Sequence, residues 1–524
     1  MLLHDLLRTS AARFPDKAAC VCEGQRWTYT HLEEASNRLA HGLADAGIGP
    51  GDRVAVWLDN SIESVLSVFA ILKAGAAFVM LNPTLKAPKL CYLLKDCAAS
   101  AVILRGRAGA VIEVIEREVD SVRFFLCCGP KAAEEQAGAK PRFAFESYVG
   151  SFPATAPPRS AIDLDIAALV YTSGSTGQPK GVIATHQSMG SAVASIAAYL
   201  GNVPEDVILN PLPLSFTYGL SQLTTAARVG ATVVLERSFA YPYQLVQRVA
   251  AEQVTGFPGV PTIFATLLQM KDIDPGLLDS VRYVTSAGAA LPPAHVERLP
   301  GLFRNAEIFN MYGQTECVRV TYLSGEALRQ RPGSVGRGMP NQQLSLMDAA
   351  GNPVAPGETG ELVVRGAHVM KGYWNLPEKT EAKLRPGRYP WERELHTGDL
   401  FRVDEAGYLY FVSRQDDIIK TRGEKVSPIE VENCIAELAS VQDVGVTGVP
   451  DPILGEAIKA VVVAAEGAAV TEKAIIGHCR SRLENFMVPK IVEFRASLPK
   501  VPSGKLIRKA LIEDGAANPE RNGT

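Results

Sequence analysis

The chain lacks any large charge imbalance. Its 53 Lys and Arg residues nearly match 56 Asp and Glu in 524 residues, a net charge of −3, so it has no bulk attraction for nucleic acid or an anionic bilayer. It also lacks a membrane-length apolar run. The longest candidate, residues 64–81, is broken by Lys73 and Gly75, whereas a span needs about 20 mostly apolar residues; it reads as a helix followed by a buried strand. Residues 1–16 carry Asp5 and Arg8 within apolar helical spacing, so no secretory signal core is expected and the expected location is the cytoplasm. Nine cysteines are scattered with neither a CxxC pair nor matching His spacing, which points to free thiols in a reducing compartment and not to a metal or disulfide framework. Internal repeats and low-complexity tracts are absent, and only residues 131–142 and the tail after Asp514 read as weakly ordered.

What is present is material for several cores: 47% hydrophobic residues against 21% charged excludes disorder, and the length suggests about three to five packing units. Short Val/Ile/Ala-rich runs alternate with helical patterns through roughly the first 330 residues, at 53–58, 77–81, 101–104, 167–171, 207–212, 232–235, 256–258 and 283–286. Such runs are expected of doubly wound α/β layers with both sheet faces covered. From about Ser334 to Val412 the pattern turns to brief alternating strands between Gly and Pro turns, an antiparallel barrel-like segment. After Arg414, helix and strand signals return on a smaller scale. The expected architecture is a large N-terminal domain, 1–414, of two doubly wound α/β subdomains plus the barrel-like one, and a small C-terminal α/β domain, 415–524.

The strongest chemical signal is the run Tyr171-Thr-Ser-Gly-Ser-Thr-Gly-Gln-Pro-Lys180-Gly181, read as following a strand and preceding a helix. Three glycines free backbone N–H groups, Thr172, Ser173, Ser175 and Thr176 add hydroxyls, and Lys180 adds a charge, which together suit a polyphosphate. The spacing is not that of the Walker loop. Further on come Asn310-Met-Tyr-Gly-Gln-Thr-Glu316, Glu394-Leu-His-Thr-Gly-Asp399, Gly407 to Glu430 containing Arg414, Asp416 and Gly423, and Pro499-Lys-Val-Pro-Ser-Gly-Lys505. In this order and at these separations, from about Leu6 to Leu511, the runs resemble the adenylate-forming enzymes: acyl- and aryl-coenzyme A synthetases, adenylation domains and firefly luciferase.

The resemblance implies an AMP-forming acid–thiol ligase that uses ATP and Mg²⁺ to make an acyl-adenylate, releases pyrophosphate, and passes the acyl group to coenzyme A; the alternative acceptor is the phosphopantetheine arm of a carrier protein. It assigns the loop Thr172, Ser173, Gly174, Ser175, Thr176, Gly177 and Lys180 to the β- and γ-phosphates, Thr315 to the α-phosphate, and Glu316 to the metal. Tyr312 and Gly313, with Gly288, Ala289 and Ala290 opposite, match the adenine site, and Asp399 matches the ribose carboxylate. Arg414 matches the basic residue at the domain junction, Lys505 the catalytic lysine, and Asp416 the hinge about which the mobile small domain turns. Lys420 and Gly423 fall with the nucleotide and thiol contacts. The acyl pocket is expected from Phe216, Thr217, Tyr218 and Gly219 and from Gly259 and Val260, with Phe257 as further lining. Amino-acid activators carry Asp where this chain has Phe216-Thr217, so an unpaired ammonium would be costly there, and an acid with an uncharged tail is expected. Neither oligomeric state, monomer or homodimer, is favoured.

Overall fold

A computed structural model describes residues 1–106, 108–129, 139–172, 179–270, 273–289, 291–421, 424–501 and 506–512. Three sheets organise them. The first has seven strands, in spatial order Arg142–Ala144, Phe124–Cys128, Ala101–Arg105, Arg53–Trp57, Ala77–Met80, Ile166–Thr172 and Lys180–Thr185, all parallel except the last pair. Its strands alternate between two cores: Val54, Val56, Phe78 and Ile103 pack into one, and Ala55, Val79, Val102 and Leu104 into the other. Side chains two apart share a face, so a run apolar at every position is what a sheet buried on both sides requires. The 64–81 run divides as expected into the helix Ile62–Lys73, capped at Ser61, and the buried strand Ala77–Met80.

The second sheet has 14 strands. Its parallel centre aligns Glu307–Tyr312, Tyr283–Ser286, Gly256–Gly259, Val207–Asn210 and Thr232–Leu235, and Ala18–Cys22 from the N-terminus adds to the far side of Thr232–Leu235. The strand expected through Leu212 stops at Asn210 because Pro211 has no N–H to continue a ladder. On the other side the antiparallel segment is joined edge to edge through Thr321–Ser324 and Ser334–Gly338 to Leu409–Arg414, Arg393–Val403, Thr359–Gly366 and Gln342–Met347. The large N-terminal domain thus consists of two mixed sheets. A small α/β domain follows, with a five-stranded sheet of Ile419–Thr421, Glu424–Val426, Val441–Asp451, Gly455–Ala464 and Ile491–Phe494. The helices Pro428–Ala436 and Glu472–Arg482 cover it around Val431, Ile435, Ile475 and Cys479.

The phosphate-loop motif does not bridge a strand and a helix. Lys180–Thr185 is itself a strand, antiparallel to Ile166–Thr172 with Thr172 opposite Lys180, and the helix starts only at His186. Gly181-Val-Ile-Ala is β-branched and apolar enough to extend the sheet, and its free edge is taken up by residues 371–374. All nine cysteines are buried. Among the described residues no helix is long and apolar enough to cross a membrane, and no cluster of three or more His, Cys, Asp or Glu is placed to hold a metal. Most of 131–142 and the tail after Asp514, read as weakly ordered, lie outside the described residues.

Candidate functional site

Three parallel strands end side by side: Gly256–Gly259, Tyr283–Ser286 and Glu307–Tyr312, in register with one another. Their carboxyl ends deliver Val260, then Gly288 and Ala289, then Gly313 to Glu316, to one edge of the second sheet, the position where open α/β sheets bind ligands. Gly288 has φ +92°, a conformation that favours glycine, and both Gly288 and Ala289 are exposed. Ala290 lies outside the described residues.

Asp399 is the best-organised acid here. It is 2% exposed and sits opposite Arg414 in the antiparallel pair. Its Oδ2 accepts from the Tyr312 hydroxyl and from Gln314 Nε2, both at 2.6 Å. Its Oδ1 is ion-paired with Arg414 Nε at 3.2 Å, yet this buried oxygen accepts no hydrogen bond. A buried carboxylate oxygen without a donor is costly and suits a ligand hydroxyl. Burial and the Asp399 charge push the Tyr312 phenol well above its usual pKa, which keeps it a donor. The Tyr312 ring packs edge-on against Phe401 at 4.9 Å and near Phe411 at 6.3 Å.

Glu316 Oε1 accepts from the Tyr373 hydroxyl at 2.8 Å, and its carbonyl accepts from Met370 N–H. Lys180 Nζ lies 5.3 Å from the Tyr373 ring. Burial, then the charges of Lys379 and Lys383, hold the Lys180 ammonium below the ordinary lysine pKa, with Glu316 opposing. The charges of three lysines and two carboxylates, Glu316 and Asp416, therefore act together beside the mouth of the loop whose described ends are Thr172 and Lys180. Ser173, Gly174, Ser175, Thr176 and Gly177 lie outside the described residues, as do Gly423 and Lys505. The flanks of the Lys505 segment are held together by an antiparallel bridge between Lys500 and Leu506 and by Ile507 N–H donating to Pro499 C=O at 2.8 Å.

The remaining expected residues divide. Phe216, Thr217 and Tyr218 are half-buried at the start of the helix Thr217–Val229. Gly219 is buried where a Cβ would meet Pro213 O at 2.3 Å. The Tyr218 hydroxyl bonds Thr285 O and Oγ1 at 2.9 and 2.7 Å, which places it beside the strand end carrying Gly288. Phe257, read as lining, is instead fully buried between Phe264 and Phe303; strand alternation turns it into the core. Asp416 is exposed in a short turn, Gln415–Asp417, that leads from Arg414 to the small sheet. Lys420 is exposed on that sheet, its N–H bonded to Glu456 at 2.6 Å.

Sequence reasoning passed over Gln314, Arg319, Tyr373, Lys379 and Lys383. Gln314 lies inside, and Arg319 just after, a motif that was read; the others come from the segment after Gly366 and carry no local signal. The turn before Arg319 is unusual. Arg319 N–H donates to Cys317 C=O at 2.6 Å across Val318 at φ +61°, a three-residue turn whose left-handed centre is strained for a β-branched residue, on the order of 1–3 kcal/mol. Gly313 makes room for it: a Cβ there would lie 2.6 Å from Val318 O and 2.9 Å from Arg319 Cα.

The model of the AMP-binding enzyme family matches residues 7–374, and that of the AMP-binding enzyme C-terminal domain matches 430–505. The chain is 33% identical to a long-chain-fatty-acid–CoA ligase of Bacillus subtilis over 98% of this chain and 95% of that one. It is 34% identical to a feruloyl-CoA synthase of an Amycolatopsis species over 93% of each. The structure of the o-succinylbenzoate CoA synthetase of Bacillus subtilis with its acyl-adenylate superposes with a TM-score of 0.83 at 28% identity, covering 97% of this chain and 98% of that one. With its motifs at the strand ends and both family models matched in order, the chain belongs to the AMP-binding enzymes, the adenylate-forming family that includes the acyl-CoA synthetases.

Proposed function

We propose that this enzyme activates a carboxylic acid with ATP to an acyl-adenylate, releasing pyrophosphate, and then transfers the acyl group to coenzyme A. The observation that carries the reading is Asp399: a buried carboxylate held by Tyr312 and Gln314, with one oxygen that faces Arg414 but accepts no hydrogen bond, beside the cationic mouth of the glycine-rich loop. A ribose with two vicinal hydroxyls satisfies that oxygen. Adenine lies against Tyr312 and Gly313, with Gly288, Ala289 and Ala290 at its edge, and the polyphosphate takes the loop from Thr172 to Lys180. The acid's carboxylate attacks the α-phosphate. Two anions approach, so oriented cations and donors stabilise the transition state most; Lys180, Lys379 and Lys383 supply standing positive potential, Thr315 a hydroxyl, and Arg414 a guanidinium. Glu316 fits Mg²⁺, since Tyr373 occupies only Oε1 and a hard cation held by one carboxylate and phosphate oxygens needs no wider acidic cluster; bound there, the ion neutralises phosphate charge.

Lys505 acts in the first step, bridging carboxylate and α-phosphate. The large part, 1–414, and the small part, 415–524, then turn about Asp416, which withdraws Lys505 and brings Lys420 and the Gly423 segment toward the thiol. The exposure of Asp416 in a short turn between two sheets supports that assignment, and rotation about a few loop residues is an ordinary mode of closure. The test is ATP–pyrophosphate exchange across a panel of carboxylic acids, followed by coenzyme A against a phosphopantetheinylated carrier protein as acceptor. Acid-dependent exchange and coenzyme A thioester are expected. No exchange with any acid refutes the reading, and transfer to carrier protein alone replaces the acceptor.

A further inference from the structure

Arg319 is a buried cation that no described carboxylate pairs with. The residue is 3% exposed, its Nε is dry and unpartnered, and among the described residues no carboxylate pairs with it. Its guanidinium carbon stands 4.9 Å from the centre of the Tyr218 ring, and it acts on Tyr199 both by its charge and by a side-chain hydrogen bond. Tyr199 is in turn stacked on Tyr322 at 4.2 Å. Ring faces attract a cation and Tyr199 shares a hydrogen bond with it, but neither supplies a negative charge or a donor-matched partner for Nε, and an arginine side chain keeps its charge in a protein. The strained turn at Val318 and the space left by Gly313 fix the backbone from which it projects. Tyr218 is half-buried at the acyl-pocket position and hydrogen-bonded to the strand that ends at Gly288, so the unpaired cation lies against the same wall.

Resting on the acid-activation reading, we propose that Arg319 selects acids whose tail carries a second anionic oxygen, a distal carboxylate foremost. The planar guanidinium presents a fork that matches a carboxylate in two parallel hydrogen bonds, and a buried charge lacking that partner penalises tails that cannot provide it. Phe216-Thr217 excludes an ammonium-bearing tail by offering no anion, and Arg319 adds the opposite preference. The uncharged tail expected from the sequence followed from the missing Asp alone; the cation that revises it comes from a residue brought in by the fold.

The experiment pairs each dicarboxylic acid with the monocarboxylic acid of equal length, in an aliphatic series and an aryl series, and reads acid-dependent pyrophosphate exchange for wild type, Arg319→Leu and Arg319→Met. At the best length, the diacid should exceed its monoacid about 10-fold or more in kcat/KM, and either substitution should reduce that ratio about 100-fold. Thermal unfolding is followed in parallel, and the melting temperature should not fall, because replacing an unpaired buried ion by an apolar group is often neutral or stabilising. A wild type that prefers monoacids throughout overturns the proposal and leaves acid activation standing. So does an equal loss for both acids with a lowered melting temperature, or failure of both variants to fold, since each marks Arg319 as structural. Exchange with no acid overturns the underlying reading and this proposal together.

Discussion

Asp399→Asn preserves shape but removes the charge that faces Arg414 and accepts from Tyr312 and Gln314. The expected result is a rise of about 10–100-fold in KM for ATP, each factor of ten being about 1.4 kcal/mol, with little change in the KM for the acid; pyrophosphate exchange at varied ATP measures it. Tyr373→Phe deletes the hydroxyl that donates to Glu316. A hydrogen bond to a charged group is worth about 1.5–3 kcal/mol, so exchange should slow about 10-fold or more, and the Mg²⁺ concentration giving half-maximal rate should shift. No change in either would place Glu316 outside the phosphate site. These two residues also mark what a sequence reveals. Asp399 stands in a contiguous run whose neighbours announce it, whereas Tyr373 and Lys379 become part of the site only because a segment distant in the chain packs against Lys180–Thr185, and Arg319, near a read motif, shows its role only through the side chains the fold sets around it. No local pattern records a side chain's charge partner, and for Arg319 the informative fact is that no described carboxylate pairs with it.

Among the elements, the turn from Gly313 to Arg319 carries the most constraint. Gly313→Ala would drive a Cβ into Val318 O and the Arg319 backbone, so the turn must open, and adenylation should fall far more than the melting temperature; comparing kcat/KM with thermal unfolding separates the two. At the helix His186–Tyr199, the first residue's Nδ1 accepts from Leu3 N–H at 3.0 Å and ties the N-terminal segment to the large domain. Burial lowers this imidazole to a pKa of about 4 from 6.5. The folded protein therefore keeps His186 neutral while the unfolded chain takes up a proton below about pH 6.5. Its contribution is present above that pH and is lost as pH falls toward 4, at up to about 1.4 kcal/mol per pH unit. His186→Gln, which retains an acceptor without titrating, should show a flatter loss of stability by about one proton over that window in denaturant melts at stepped pH. Parallel strands were legible from their unbroken apolar runs. Lys180–Thr185 was not, because its partners are a hairpin neighbour and the remote 371–374 segment, and the Gly and Lys at its start read as loop.

For the whole molecule, two substitutions separate the half-reactions. Lys505→Ala should cut adenylate formation about 10²–10³-fold and leave thioester formation from supplied acyl-adenylate nearly intact, measured by exchange and by thioester release. Asp416→Pro fixes φ near −65° and removes an N–H, so adenylate should still form while transfer to coenzyme A slows. Equal damage to both steps in each variant would mean that the two parts do not alternate. The order of the strands in the second sheet bears on how such a chain is made. Cys20 lies opposite Trp27 in an antiparallel hairpin with Gln25–Thr28, but its parallel partner is Val233, about 210 residues later. At synthesis rates of about 5–20 residues per second, a nascent chain carries its first strand for roughly 10–40 s before the partner leaves the ribosome. The strand Ala18–Cys22, four of whose five residues end up buried, can close its hairpin with Gln25–Thr28 at once but must spend that interval with its other edge open, so the earliest part of the protein to be synthesised is among the last to reach its final place.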